Sequence, residues 1–198
     1  MIRFLFFLLI SISFAQAKPF QYAGKWYFVS FEKDESKQYI YLEGKFLTSL
    51  IEDYRGLDAV ISHLSPHLDI EIYLNSDGGF QPLVEDYVKK IKNKCAQKTC
   101  TITTVLRYPN YCASACLILF MAGNKRVATR GARFGFHSAA ALPGTFKIPY
   151  YAERGLKRSG VNPEWLELNK DLFDSLSITW LKASELVGSN IVTHYIND

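Results

Sequence analysis

The sequence predicts an α/β fold built on a largely parallel sheet, and three observations carry that expectation. Short β-rich runs alternate with helical patterns along most of the chain. Several runs end in glycine turns or run into apolar helices, and the intervals between runs suit right-handed crossovers. In sheets of this kind, ligands bind beyond the carboxyl ends of strands.

The elements follow in order. Trp26–Phe31 and Tyr39–Leu42 read as two hydrophobic strands separated by the charged turn Glu32–Lys37. After Gly44 the apolar residues Phe46, Leu47, Leu50, Ile51, Tyr54, Leu57, Val60 and Ile61 keep helical spacing, and Pro66 stops the helix. In Asp69–Asn75 the residues Ile70, Ile72 and Leu74 alternate with Glu71 and Tyr73, a half-buried strand that runs into Ser76-Asp77-Gly78-Gly79. Leu83, Val84, Tyr87, Val88 and Ile91 mark a second helix ending near Lys94. Thr101–Leu106 reads as a strand, and the Pro109-Asn110 turn leads into Ser114–Ala122, a short helix apolar almost all round and hence buried. Arg126–Thr129 and Arg133–His137 read as short strands, and Ala139–Ile148 as a loop. Helical patterns cover Tyr150–Arg158 and Pro163–Phe173, followed by a short helix at Ala183–Val187 and a closing strand at Ile191–Ile196.

Length and composition fit one domain with a real core. Among 198 residues, the first 17 combine a cationic Arg3, an apolar run from Phe4 to Ile12, and the small residues Ala15 and Ala17. That pattern predicts a signal peptide cleaved before Lys18, leaving residues 18–198 as a single exported domain, periplasmic or secreted. No later segment is long and apolar enough for an integral membrane span. The formal charge of +4 falls by one when Arg3 is removed and argues for no particular partner. Lys89, Lys90, Lys92, Lys94 and Lys98 have no interleaved aromatics, so they read as a solvated helix face and no nucleic-acid partner is expected. His63 and His67 stand four apart, but Pro66 interrupts their helix, so they read as surface residues and no metal site is expected.

The four cysteines, Cys95, Cys100, Cys112 and Cys116, read as disulfides on an exported chain. Four cysteines allow three connectivities; the local pairs Cys95–Cys100 and Cys112–Cys116 are favoured because each closes a short loop. Neither spacing is that of a zinc site.

Three segments carry candidate chemistry. Ser114 opens a buried helix, whose first-turn amides lack intrahelical partners and favour negative charge. Gly78 and Gly79 follow a strand, and the lack of a Cβ lets their backbone approach a reacting carbonyl. His137 closes a strand and is the best general base for a serine nucleophile. Each has a bland alternative: a serine capping a helix, a glycine turn, a satisfied core histidine. Only their order along the chain favours a serine-dependent acyl-transfer site.

Ile72-Tyr73-Leu74-Asn75-Ser76-Asp77-Gly78-Gly79, Cys112-Ala113-Ser114-Ala115-Cys116, Gly131-Ala132-Arg133-Phe134-Gly135-Phe136-His137 and Trp180-Leu181-Lys182-Ala183-Ser184-Glu185 together resemble the Clp protease/crotonase superfamily, in particular its exported Clp-like serine proteases. The likeness runs from about Tyr39 to Ile196, with Tyr41-Leu42-Glu43-Gly44 similar to the first strand and turn. It implies a β-β-α spiral with C-terminal helices, Ser114 as nucleophile, His137 as general base, and Gly78, Gly79 and Ala115 as oxyanion donors. Asp77 stands where the family has proline. The family's acid is due just before Trp180, where this chain has Leu176-Ser177-Ile178-Thr179. Asp174 is the candidate acid, with Asp171 behind it; a Ser–Lys dyad through Lys147 or Lys157 is the other arrangement.

The resulting expectation is an exported serine peptidase that acts on peptides or unfolded protein through an acyl-enzyme on Ser114, needs no cofactor, and allows a homo-oligomer. The alternative is a catalytically impaired pseudoenzyme serving as a peptide- or partner-binding module. Acyl-CoA chemistry is disfavoured because export removes the chain from cytosolic CoA.

Overall fold

The computed structural model describes residues 20–23, 27–46, 51–96, 100–138 and 155–197. The proposed signal peptide (residues 1–17), the loop at 139–148 and Lys147 lie outside the described residues.

A sheet of ten strands organises the molecule among the described residues. Strands β1 (Phe20–Ala23), β2 (Tyr27–Lys33) and β3 (Lys37–Phe46) form an antiparallel edge. From β3 onward the pairing is parallel, through β4 (Asp69–Gly79), β5 (Ile102–Leu106), β7 (Lys125–Thr129) and β10 (His194–Ile196). Near the end of β4 the sheet forks: Ser76 pairs with Cys112 of β6 (Tyr111–Ala113), β6 pairs in parallel with β8 (Arg133–Phe136), and β9 (Thr179–Lys182) adds antiparallel to β8. The result is a mixed α/β fold with a curled, parallel-rich sheet.

Alternation along β4 explains its place at the centre. Ile70, Ile72, Leu74, Ser76 and Gly78 are buried, while the residues between them are half-buried until Gly79 emerges. Helix α1 (Ile51–His63) covers the sheet with Leu57, Val60 and Ile61, and α2 (Gln81–Ala96) with Leu83, Val84, Tyr87, Ile91 and Cys95. Each such Leu, Val or Ile side chain contributes roughly 1.5–3 kcal/mol on burial. Helix α3 (Ala115–Phe120) is buried nearly throughout, packed against α2 and β4. Residues 155–158 are helical, followed by α4 (Pro163–Leu168), which Asn162 caps by accepting from Glu164 N–H at 2.9 Å.

Several boundaries differ from the sequence reading. Phe46 ends β3 rather than opening a helix, and Phe80 N–H donates to its carbonyl at 2.6 Å. Ser114 lies outside α3, which stops at Phe120. The predicted helix at Pro163–Phe173 divides at Asn169 into α4 and a 3-10 turn, Lys170–Phe173. The closing strand begins only at His194, after Arg126 fixes the preceding segment: its guanidinium donates to Ile191 O at 2.9 Å, Asn190 O at 2.5 Å and Gly123 O at 3.2 Å. Strands β6 and β9 were not expected; both are short, and both frame the site.

Candidate active site

Ser114 occupies the sharp turn between β6 and α3. Its backbone has φ 56° and ψ −126°, a left-handed conformation that a non-glycine residue holds only when its surroundings impose it. Ser114 N–H donates to Gly135 O at 3.0 Å, and Ser114 O accepts from Leu117 N–H at 2.9 Å, so both backbone groups are committed. The side chain makes no capping hydrogen bond. The side chain therefore does not cap the helix, and Ser114 lines a cavity. A strained strand-to-helix turn that presents a serine Oγ is a recurring nucleophile geometry.

Gly78 explains how the turn is held. It has φ 90°, and a Cβ there would stand 2.4 Å from Ala113 O and 2.8 Å from Ala115 N. Only a bare Cα lets β4 pass this close to Ser114. Gly78 N–H donates to Ser76 Oγ at 3.0 Å, and Ser76 Oγ itself donates to Gly44 O. Gly79 has φ 139° and lies as tightly against Phe46. Because Phe80 N–H bonds Phe46 O, ladder alternation turns the Gly79 N–H away from β3. The Ala115 N–H, first in α3, has no intrahelical partner.

Both local cysteine pairs are at disulfide distance. The Cα atoms are 5.3 Å apart for Cys112–Cys116, which straddles Ser114, and 5.1 Å for Cys95–Cys100, which joins the end of α2 to the start of β5.

His137 follows β8 and lines the same cavity as Ser114, a space of about 230 Å³ whose apolar wall includes Leu117, Ile118, Met121, Phe136, Leu156 and Phe173. Among the described residues no hydrogen bond joins Ser114 Oγ to the His137 ring. His137 Nδ1 is buried and has no hydrogen-bond partner among the described residues. Asp174 and Asp171 are exposed, and neither bonds the ring; Lys157 is exposed and does not line the cavity. The structure therefore gathers Ser114, His137, Ala115 and the glycine pair at one strand end, and leaves the candidate acids outside. His63 and His67 are exposed, and no cluster of three metal-ligating side chains occurs among the described residues.

Sequence reasoning missed Gln81 and Glu85, which line the cavity from α2 and share a hydrogen bond of 2.8 Å. Their four-residue spacing one turn after Gly79 was the available signal.

No family model matches the chain, and no curated protein matches it. Among solved structures it is similar to the ClpP protease catalytic domain from Plasmodium falciparum, with a TM-score of 0.56 and 19% identity over 80% of this chain and 84% of that one. At that identity the likeness concerns architecture: the chain has a Clp-protease-like fold.

Proposed function

We propose that the chain is an exported serine peptidase acting on peptides or unfolded protein through an acyl-enzyme on Ser114. The observation that carries this reading is the strained Ser114 turn, whose side chain caps no helix and which lines a cavity shared with His137. In the reaction, Ser114 Oγ attacks the scissile carbonyl and its proton passes to His137 Nε2. The amides of Gly79 and Ala115 receive the oxyanion, since Gly78 N–H is already given to Ser76 Oγ. The proton goes on to the leaving amine, and water then releases the acyl group. The apolar cavity would hold an apolar substrate side chain. A catalytic hydrogen bond absent in a free enzyme is no objection, because such contacts tighten when substrate binds. Paired cysteines support an oxidising compartment and hence export. The finer architecture, a β-β-α spiral of the Clp-protease/crotonase type with C-terminal helices, belongs to the same proposal.

Fluorophosphonate labelling tests the reading. The oxidised protein is expected to be modified at Ser114, and Ser114→Ala to remain unmodified; an unlabelled wild-type protein would refute it. The orphaned His137 Nδ1 favours a second reading, a binding module that keeps the cleft and has lost turnover. Equal peptide affinity of wild type and Ser114→Ala, with no cleavage by either, would select it.

A further inference from the structure

A buried ring nitrogen is ordinarily paired, and the reaction described above gives His137 Nδ1 nothing to do. A neutral imidazole carries one proton, and surroundings decide which nitrogen holds it. At Nδ1 the proton would be a buried donor with no acceptor, which is costly; a bare buried acceptor is tolerated more often. At Nε2 the proton would belong to a ring that lines an open cavity. The second arrangement is favoured, and in it Nε2 must give up its own proton before it can accept that of Ser114.

The residue responsible is readable from strand register. Arg133 pairs with Lys182, Phe134 with Leu181, Gly135 with Trp180 and Phe136 with Thr179, where the ladder ends; His137 and Ile178 are the residues that follow on the two strands. A methyl on Gly135 would stand 2.8 Å from Ile178 Cγ2 and 3.0 Å from Trp180 Cζ3, so both side chains overlie Gly135. Gly135 and His137 are two residues apart and share that face. Beyond them, Ser138 N–H and Ser138 Oγ donate to Ser175 O at 2.7 and 3.1 Å, so residues 176–178 bulge past His137 with no carboxylate among them. The Arg133 guanidinium, 5.8 Å from the Tyr111 ring and 5.5 Å from that of Trp180, braces β9 in this register.

We propose that Ile178 is a positioning residue: by offering only carbon at the ladder's end, where His137 follows β8, it keeps the imidazole proton on Nε2 and makes the Ser114–His137 pair a slow hydrolase that a carboxylate at position 178 would accelerate. The proposal rests on the serine-hydrolase reading for its rate consequence and on geometry alone for the tautomer. With a carboxylate accepting from Nδ1–H, the bare Nε2 takes the proton from Ser114 Oγ. In probe labelling, the Oγ–phosphorus bond then forms as fluoride leaves.

Nitrogen-15 histidine NMR of the full oxidised chain, with His137 assigned through its loss in His137→Gln, reads the tautomer directly. Wild type is expected to carry the neutral-ring proton on Nε2, and Ile178→Asp on Nδ1. Fluorophosphonate labelling of Ser114 is expected to quicken by about tenfold or more in Ile178→Asp, given what a misplaced tautomer costs a known triad. A wild-type proton on Nδ1, or a folded Ile178→Asp that labels no faster than a labelling wild type, would overturn the proposal. A tautomer that moves while neither protein labels refutes the hydrolase reading and upholds the proton assignment. Should circular dichroism show Ile178→Asp unfolded, Ser177→Asp, at an exposed position in the same bulge, carries both readouts.

Discussion

The two halves of the candidate site are built to different standards. Around Ser114 every element constrains every other: both backbone groups are bonded, Gly78 is pressed against the turn, and Cys112 and Cys116 bridge across it. Around His137 there is one buried nitrogen with no partner among the described residues and a neighbouring bulge that holds no carboxylate. A left-handed serine costs of order 1–3 kcal/mol and persists only where surrounding structure over-determines it. The chain holds the Ser114 turn against that cost while leaving the His137 ring unsupported. Holding a serine in a strained turn and activating its hydroxyl are separate achievements, and the fold shows the first.

Disturbing the tighter half should have the largest consequence. Gly78→Ala puts a methyl 2.4 Å from Ala113 O at a backbone angle that alanine resists. The expected loss is about 3–5 kcal/mol in urea unfolding, with Ser114 labelling abolished. His137→Gln, by contrast, removes a ring whose buried nitrogen has no bond to lose, and is expected to shift stability by less than about 1 kcal/mol. Equal losses from both would erase the distinction.

The disulfides come next in size. Each closes a short loop, so replacing either pair with alanine is expected to lower stability by about 2 kcal/mol. Only loss of Cys112–Cys116, which straddles the strained turn, should also slow Ser114 labelling. Removal of Cys95–Cys100, between α2 and β5, should leave the labelling rate of the folded protein unchanged. Slowing by both pairs alike would mean that the bridge acts through global stability and not on the turn.

Legibility in the sequence followed the same division. The alternation of Ile70, Ile72 and Leu74, and the helical spacing from Leu83 to Ile91, made β4 and α2 plain, because a buried face repeats over many residues. Strand β6 was hidden since three residues cannot show a period, and β9 because Thr179–Lys182 mixes polar and apolar side chains on a half-exposed edge. Phe46 continued the helical spacing backward, yet the β3–β4 ladder claimed it, tertiary pairing overriding a local pattern. Ser114, His137 and the glycines were legible as a set because their chemistry is named by residue type. That Gly78 N–H is already engaged, and that Ile178 overlies Gly135 where the β8–β9 ladder ends, depends on hydrogen-bond direction and cross-strand register, which no single segment encodes.

The smallest effect separates the site from its scaffold. In the turn between β2 and β3, Asp34 accepts from Ser36 N–H and Lys37 N–H, each at 2.7 Å, and from Tyr39 OH at 2.9 Å. These bonds, the two backbone amides foremost, bring its pKa down to about 2 from 3.8. A carboxylate with a lowered folded-state pKa contributes stability above its unfolded value and loses it as pH falls through the folded one. The turn should therefore be intact at pH 4 and weaken toward pH 2. In Asp34→Asn that part of the acid transition should vanish, because no charge remains to titrate. Amide exchange at Ser36 and Lys37 would follow it locally. An unchanged exchange profile between pH 4 and 2 in the variant would show that other carboxylates govern acid loosening. Exchange at Ala115 moving together with Ser36 and Lys37 would show that the β2–β3 turn and the Ser114 turn open as one cooperative unit.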